Sequence, residues 1–195
     1  MKLSAREKLI RAGIDLMSEK GLNSTGIEEV LELAGIPRGS FYYYFKSKNA
    51  FGLEVINAYV AILSARLVDT LTDEKVSPLQ RLQNYIDATE VFLNRYEFRR
   101  GCLVGNVSQD LAFLNDEIRA KVSETFNDLH LIVSRCLDDA VAAGELSADF
   151  NTAEFGKVFW VVWEGVILRA RLDRSVEPLR QFGGYLFGQL LPRPR

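Results

Sequence analysis

Three short stretches of this 195-residue chain hold most of the residues that could do chemistry. The first runs Arg38-Gly39-Ser40-Phe41-Tyr42-Tyr43-Tyr44-Phe45-Lys46-Ser47-Lys48. An arginine can donate two hydrogen bonds to the edge of a guanine. Hydroxyls and lysines can hold phosphates, which position a protein on DNA without reading its sequence. Gly39 lets backbone come close. Phe41 and Phe45 are four residues apart and share a helix face. They should plug this segment against Val30 and Leu31 and turn Arg38, Gly39, Ser40, Tyr42 and Tyr43 outward, with Lys46 and Lys48 beside them. Three adjacent tyrosines cannot all point inward from one short helix. The competing interpretation is a plain helical hairpin with aromatics in its core.

The second stretch is Phe98-Arg99-Arg100-Gly101-Cys102-Leu103-Val104-Gly105-Asn106. Two arginines before a cysteine would favour its thiolate if they point toward it, and a helix N-terminus would do the same. A thiolate could add to an activated double bond or be oxidised to a sulfenic acid. The other possibility is an inert, buried thiol. Asn106 and Gln109 are neutral polar candidates for the same site. Cys136, among apolar neighbours, reads as core.

The third stretch holds Trp160, Trp163 and Glu164. They could line a pocket with aromatic walls and one polar group, or be core or subunit contacts. His130, between Leu129 and Leu131, is a further candidate for binding a carboxylate, or a satisfied core or surface histidine.

Much is missing from the sequence. Two cysteines and one histidine give neither a disulfide scaffold nor a metal site, and no cofactor motif appears. With no nucleotide loop or catalytic triad spacing, an enzyme is not expected. No uninterrupted apolar run approaches a membrane span, and the N-terminus does not read as a signal peptide, so a cytoplasmic protein that does not enter membranes is expected. The net charge is −2, unevenly spread. Residues 1–49 hold eight Lys/Arg against six Asp/Glu, and the remainder sixteen against twenty. A mildly basic head on an acidic body suits DNA binding through one end.

The elements that must position these residues all read as helices. Leu9, Ile10, Ile14, Leu16 and Met17 recur at helical spacing after Ser4, an N-cap candidate, and Gly21 ends that run. Thr25 with Glu28 reads as a capping box before Ile27–Ala34, and Gly35-Ile36-Pro37 terminates it. A second short helix then spans residues 38–45, giving a helix-turn-helix. Longer helices follow from Ser47 to about 70, 77 to 95, 115 to 144, 151 to 173 and 177 to 191, with an irregular stretch over 96–106. No segment alternates long enough to form a sheet.

Gly39–Lys48 resembles the signature of the TetR family, and Ala12, Gly21, Thr25, Ile27 and Ala34 match upstream. The family more often has an apolar or β-branched residue where this chain has Gly26. The resemblance covers the whole chain. It implies an all-α protein of about nine helices: a three-helix DNA-binding domain over 1–47 and a ligand-binding and dimerisation domain over 48–195. It carries DNA contacts onto Thr25, Arg38, Gly39, Ser40, Tyr42, Tyr43 and Lys48. The Cys102 stretch and Phe159–Ala170 resemble a subgroup that includes the repressors of acrylate utilisation and of N-ethylmaleimide reductase, implying a small, electrophilic or unsaturated carboxylate or carbonyl effector.

The resemblance also implies a homodimer on a palindromic operator in double-stranded DNA. Phe155, Phe159, Val162, Val166, Phe182, Leu186 and Leu190 are the interface candidates, with intrachain core as the plainer assignment. The expected function is a repressor that releases DNA on binding its effector, with the long helix from Ser47 as lever. The alternatives are a helical adaptor that binds protein rather than DNA, and an activator of the same family.

Overall fold

Helix boundaries in this chain are set by side-chain caps and left-handed glycines. The computed structural model describes residues 3–110 and 115–194. Helix α1 spans Ala5–Lys20. The Ser4 hydroxyl accepts the Glu7 N–H and the Glu7 carboxylate accepts the Ser4 N–H at 2.8 Å, a reciprocal cap. Gly21, at φ 78°, closes the helix. Helix α2 spans Ile27–Ala34 and ends on left-handed Gly35.

The expected capping box at its start is displaced by one residue. Gly26 is the N-cap, and the Glu29 carboxylate, rather than Glu28, takes its N–H at 3.2 Å. Lys20 holds the same carboxylate at 2.6 Å. The Lys20 ammonium and the Gly26 N–H keep Glu29 below the usual carboxylate range. Thr25 turns away, its hydroxyl donating to Gly21 O at 2.6 Å.

A 3-10 turn over Arg38–Ser40 leads into α3, Phe41–Tyr44. Then come α4 (Lys48–Leu71), α5 (Pro78–Arg95), α6 (Leu103–Ser108), α7 (Asp116–Ala142), α8 (Thr152–Asp173) and α9 (Glu177–Tyr185), which runs into a π turn over Leu186–Leu190. The described residues contain nine α-helices and no strand. The stretch expected to be irregular, 96–106, ends inside one of them, α6. Before it, the chain turns through two consecutive left-handed residues, Glu97 (φ 50°) and Phe98 (φ 60°), which no glycine announced.

The chain forms two compact units. One gathers Met1–Ile62 with Arg100–Thr125; the other gathers Leu63–Arg99 with Phe126–Arg195. Helices α4 and α7 each contribute to both. In the first unit, Leu9, Met17, Val30, Leu31, Phe41, Phe45, Phe51, Val55, Leu103, Val104 and Val107 are buried. Helices α1 and α4 approach closely at Gly13, where a Cβ would lie 2.5 Å from the Phe51 ring. In the second, Leu82, Tyr85, Ile86, Leu129, Val133, Phe159, Trp163 and Leu186 fill the core. There Arg81, 7% exposed, donates to Asp73 O and Val76 O and pairs with Asp139 at 2.8 Å, tying down the turn between α4 and α5.

Among the described helices, α4 has the length and mean apolar composition of a membrane span, although Glu54, Asn57, Arg66 and Asp69 interrupt its apolar runs. Its Phe51, Val55 and Ile56 lie in the first core and its Leu67 and Leu71 in the second, the arrangement of a helix shared by two helical cores.

Candidate nucleic-acid interface and sensor residues

The segment Arg38–Phe45 divides its side chains as four-residue spacing requires. Phe41 and Phe45 are 1% and 2% exposed, their ring centroids 5.4 Å apart and both packed on Phe51. Tyr42 and Tyr43 stand out at 69% and 84%. Arg38, Gly39 and Lys46 are exposed and Ser40 half-buried. A Cβ at Gly39 would meet nothing within 4 Å, so its backbone is open to a close approach from outside. The result is a shallow surface with a guanidinium at its start, two phenols in the middle and an ammonium at its end. That surface can bind phosphates and reach a groove edge.

Two expected DNA contacts are placed differently. Thr25 is 2% exposed, and its hydroxyl is used within the chain. The Lys48 ammonium donates to Asn23 O at 2.7 Å, bracing the start of α4 against the turn between α1 and α2. Burial pulls this lysine below its ordinary value. Thr25 has little surface to offer DNA, whereas the Lys48 ammonium keeps further donors beside the one it gives to Asn23.

Helix α6 lies against the end of α1 in the same unit. Gly101 N–H donates to Ser18 O at 2.9 Å, and the Asn106 amide donates to Ser18 O at 2.6 Å. Arg100 pairs with Asp15 at 2.7 Å and Glu19 at 3.5 Å. Asp110 accepts Asn23 N–H at 2.9 Å. The Ser18 carbonyl, in the last turn of α1, is thus satisfied by the segment that carries Cys102. Cys102 is the N-cap of α6, 8% exposed, with its sulfur accepting Gly105 N–H at 3.4 Å. Arg100, expected to bias that thiol, also carries these two ion pairs with α1 carboxylates. Asn106, expected as a ligand contact, holds α1. Gln109 is exposed at the end of α6.

The other sensor candidates lie in the second unit. Trp163 is fully buried; its indole N–H donates to the Tyr85 hydroxyl at 3.2 Å and its ring stacks on Phe159 at 5.6 Å. Trp160 is 4% exposed, against Phe159 and Tyr85. Glu164 is half-buried. His130 is half-buried in α7, its carbonyl accepting the Ser134 hydroxyl beneath Gly156 of α8. Cys136 is buried and donates to Pro78 O at 3.3 Å. Neither cysteine is in a disulfide.

Of the interface candidates, Phe159 (1% exposed) and Leu186 (0%) are spent on this unit's own core and have no surface to give a partner. Phe155, Val166 and Phe182 are half-buried, and Val162 and Leu190 are exposed. The free face of α8 is the adjoining stripe Val158, Val161, Val162, Leu168 and Leu172. Sequence reasoning missed Asp110 and Tyr85. Their partners lie 87 and 78 positions away, and no local pattern marks them.

Comparison with known proteins agrees with this geometry. Residues 9–55 match the family of bacterial regulatory proteins of the tetR type, and 78–185 match the tetracyclin repressor-like C-terminal domain. The chain is 40% identical to the transcriptional regulator AcuR of Cereibacter sphaeroides over 178 residues, covering 91% of this chain and 81% of that one. It is 32% identical to the repressor DhaR of Mycobacterium sp. strain GP1, covering 96% and 92%. The crystal structure of a regulatory protein TetR from Rhodobacter sphaeroides superposes with a TM-score of 0.90 at 40% identity, covering 96% and 98%. The reduced form of Escherichia coli NemR superposes with a TM-score of 0.85 at 27% identity, covering 98% and 99%. With both halves of the family's architecture matched and the exposed Tyr42–Tyr43 surface on its helix-turn-helix, this chain belongs to the TetR family of transcriptional regulators.

Proposed function

We propose that the protein is a one-component repressor. Two copies present their Arg38–Lys46 surfaces to the half-sites of a palindromic operator, and a small carbonyl or carboxylate compound releases them. The exposure of Tyr42 and Tyr43 beside Arg38 carries the DNA assignment. Large aromatic side chains left in water next to cations are ready to be covered by a partner, and the family's members bind operator DNA as dimers with small-molecule effectors.

Cys102 is the proposed covalent sensor when the effector is electrophilic. Its sulfur would bond to the β-carbon of an unsaturated carbonyl, and the displaced π pair would take up a proton at the α-carbon. An adduct on Sγ would weaken the acceptor of Gly105 N–H and add bulk at a buried position, disturbing the start of α6. Asn106, which holds Ser18 O in α1, lies one helical turn further along. Cys102, Asn106 and the reading head belong to one compact unit, which supports such a path. The long α4 remains the proposed lever for signals that arise in the other unit.

The deciding experiment is fluorescence anisotropy on a duplex from the region upstream of the protein's own gene, in moderate salt. Saturable binding that survives excess non-specific DNA is expected. Arg38→Ala should cost about 1–3 kcal/mol and relax specificity at one base position, whereas Lys46→Ala should weaken all sequences alike and flatten the salt dependence. Weak binding abolished by competitor across a broad set of genomic fragments would refute the DNA reading and favour a protein-binding adaptor. On the operator complex, Cys102→Ser should stay bound when acrylate is added and the native protein should leave. Release of both alike would return Cys102 to a packing role.

A further inference from the structure

Three enclosed polar atoms mark one stripe of α8: Trp160 Nε1, Glu164 Oε1 and Arg171 Nε, at positions i, i+4 and i+11. Trp160 differs from its neighbour Trp163. The Trp163 N–H is held by Tyr85, whereas the Trp160 N–H has no hydrogen-bond partner among the described residues. An indole nitrogen is a donor only, with no way to reverse its role. Leaving such a donor buried and unmet is costly, and most native donors avoid this. The cost is recovered when a bound molecule supplies an acceptor.

We infer that the Trp160 indole N–H is the anchoring donor for the effector, and that it takes a carbonyl or carboxylate oxygen of a small organic molecule. The proposal rests on the ligand-responsive reading above and gives that reading a second, non-covalent site. The ring is fixed by Tyr85 and Phe159, with centroids at 6.4 and 6.0 Å, so the donor is held in place before the ligand arrives. A site built to donate one hydrogen bond rejects analogues that lack an acceptor more strongly than a site that measures only apolar size. Glu164, one turn along the same stripe, is a carboxylate that disfavours an anionic ligand, while Arg171, further along, is a cation whose guanidinium donates to Arg99 O. Whether the oxygen is carried by a neutral carbonyl or a carboxylate is therefore set by experiment.

The chain has two tryptophans, so ¹⁵N-indole labelling of the full-length native protein gives two signals, assigned with Trp163→Phe. The probes are propionate, propionamide and propylammonium, all saturated, so Cys102 cannot add to them. A saturable downfield shift of the Trp160 signal with propionate or propionamide, absent with propylammonium, is expected, and the stronger binder of the two identifies the source of the oxygen. Trp160→Phe keeps a ring and removes the donor. It should bind that probe at least tenfold more weakly by calorimetry, with circular dichroism reporting its fold. An unmoved Trp160 signal with both oxygen-bearing probes overturns the proposal, as does wild-type affinity in Trp160→Phe. Operator release by either probe without a Trp160 shift would overturn the anchor and leave the repressor reading standing. A shift that never releases operator would keep the anchor and remove the regulatory reading.

Discussion

The carboxylate of Asp110, at the end of α6, accepts the backbone N–H of Asn23 in the turn between α1 and α2 at 2.9 Å. Lys48 donates to the carbonyl of the same Asn23 at 2.7 Å, so this one peptide segment is gripped from both sides. A hydrogen bond to a charged group is worth roughly 1.5–3 kcal/mol when buried and less at a half-exposed site such as this. Asp110→Ala should loosen the turn, speed amide exchange over residues 21–26 and weaken operator binding severalfold while leaving α8 and α9 protected. Unchanged exchange across that turn would show that α6 does not support the reading head.

Gly13 faces α4 with no room to spare. An added methyl would lie 2.5 Å from Phe51 Cζ and 2.6 Å from Val55 Cγ2, both on buried side chains. Overpacking of this kind costs about 1–3 kcal/mol. In a chain of this size, each kcal/mol lowers Tm by roughly 2–4 °C. Gly13→Ala should therefore melt several degrees below the native protein. Gly39→Ala, in open space, should melt with it and yet bind operator less well, because its methyl stands between backbone and DNA. A Gly13→Ala melt equal to the native one would mean that α1 can slide on α4.

What was readable in the sequence follows from how local its causes are. Ser4 with Glu7, Gly35, and the four-residue spacing of Phe41 and Phe45 act within one or two helical turns, and each can be seen in a short window. The Thr25 cap was misplaced because a threonine before a helix can cap it or fold back. The hydroxyl of Thr25 went to Gly21 O, leaving Gly26 with Glu29 at the cap. Helix α6 was hidden by its glycines, since Gly105 stands inside it with its N–H on the Cys102 sulfur. The roles of Arg100, Asn106 and Asp110 depend on partners some 85–89 positions away, and residue type alone could not reveal them.

The two thiols should separate cleanly. Burial pushes the Cys136 thiol from 9.0 up to about 12. Near pH 8 it stays protonated, and the thiolate is the nucleophile. Iodoacetamide on the native protein, followed by peptide mass analysis, should modify Cys102 and spare Cys136 until denaturant is added. The raised value also fixes a sign for stability. Below pH 9 both folded and unfolded states carry the proton, and the contribution is whole. Between pH 9 and about 12 the unfolded chain loses a proton that the folded chain keeps, so stability falls as pH rises. Native labelling of Cys136 as fast as Cys102 would contradict its enclosure.

The stripe on α8 makes the last prediction. Val158, Val161, Val162, Leu168 and Leu172 are 40–77% exposed and recur at helical spacing on one face. A valine side chain gains about 1.5–3 kcal/mol on full burial, so five such residues provide the apolar centre that a subunit interface needs. In a two-fold interface a residue and its copy approach together, and a charge placed there is repeated. Val161→Asp, at the most exposed position of the stripe, should shift sedimentation from dimer to monomer and cost operator affinity tenfold or more. Val91 on α5 is 68% exposed and serves as the matched control; Val91→Asp should remain dimeric. If Val91→Asp dissociates the protein and Val161→Asp does not, the interface lies on α5 and the α8 stripe must be reassigned to another partner.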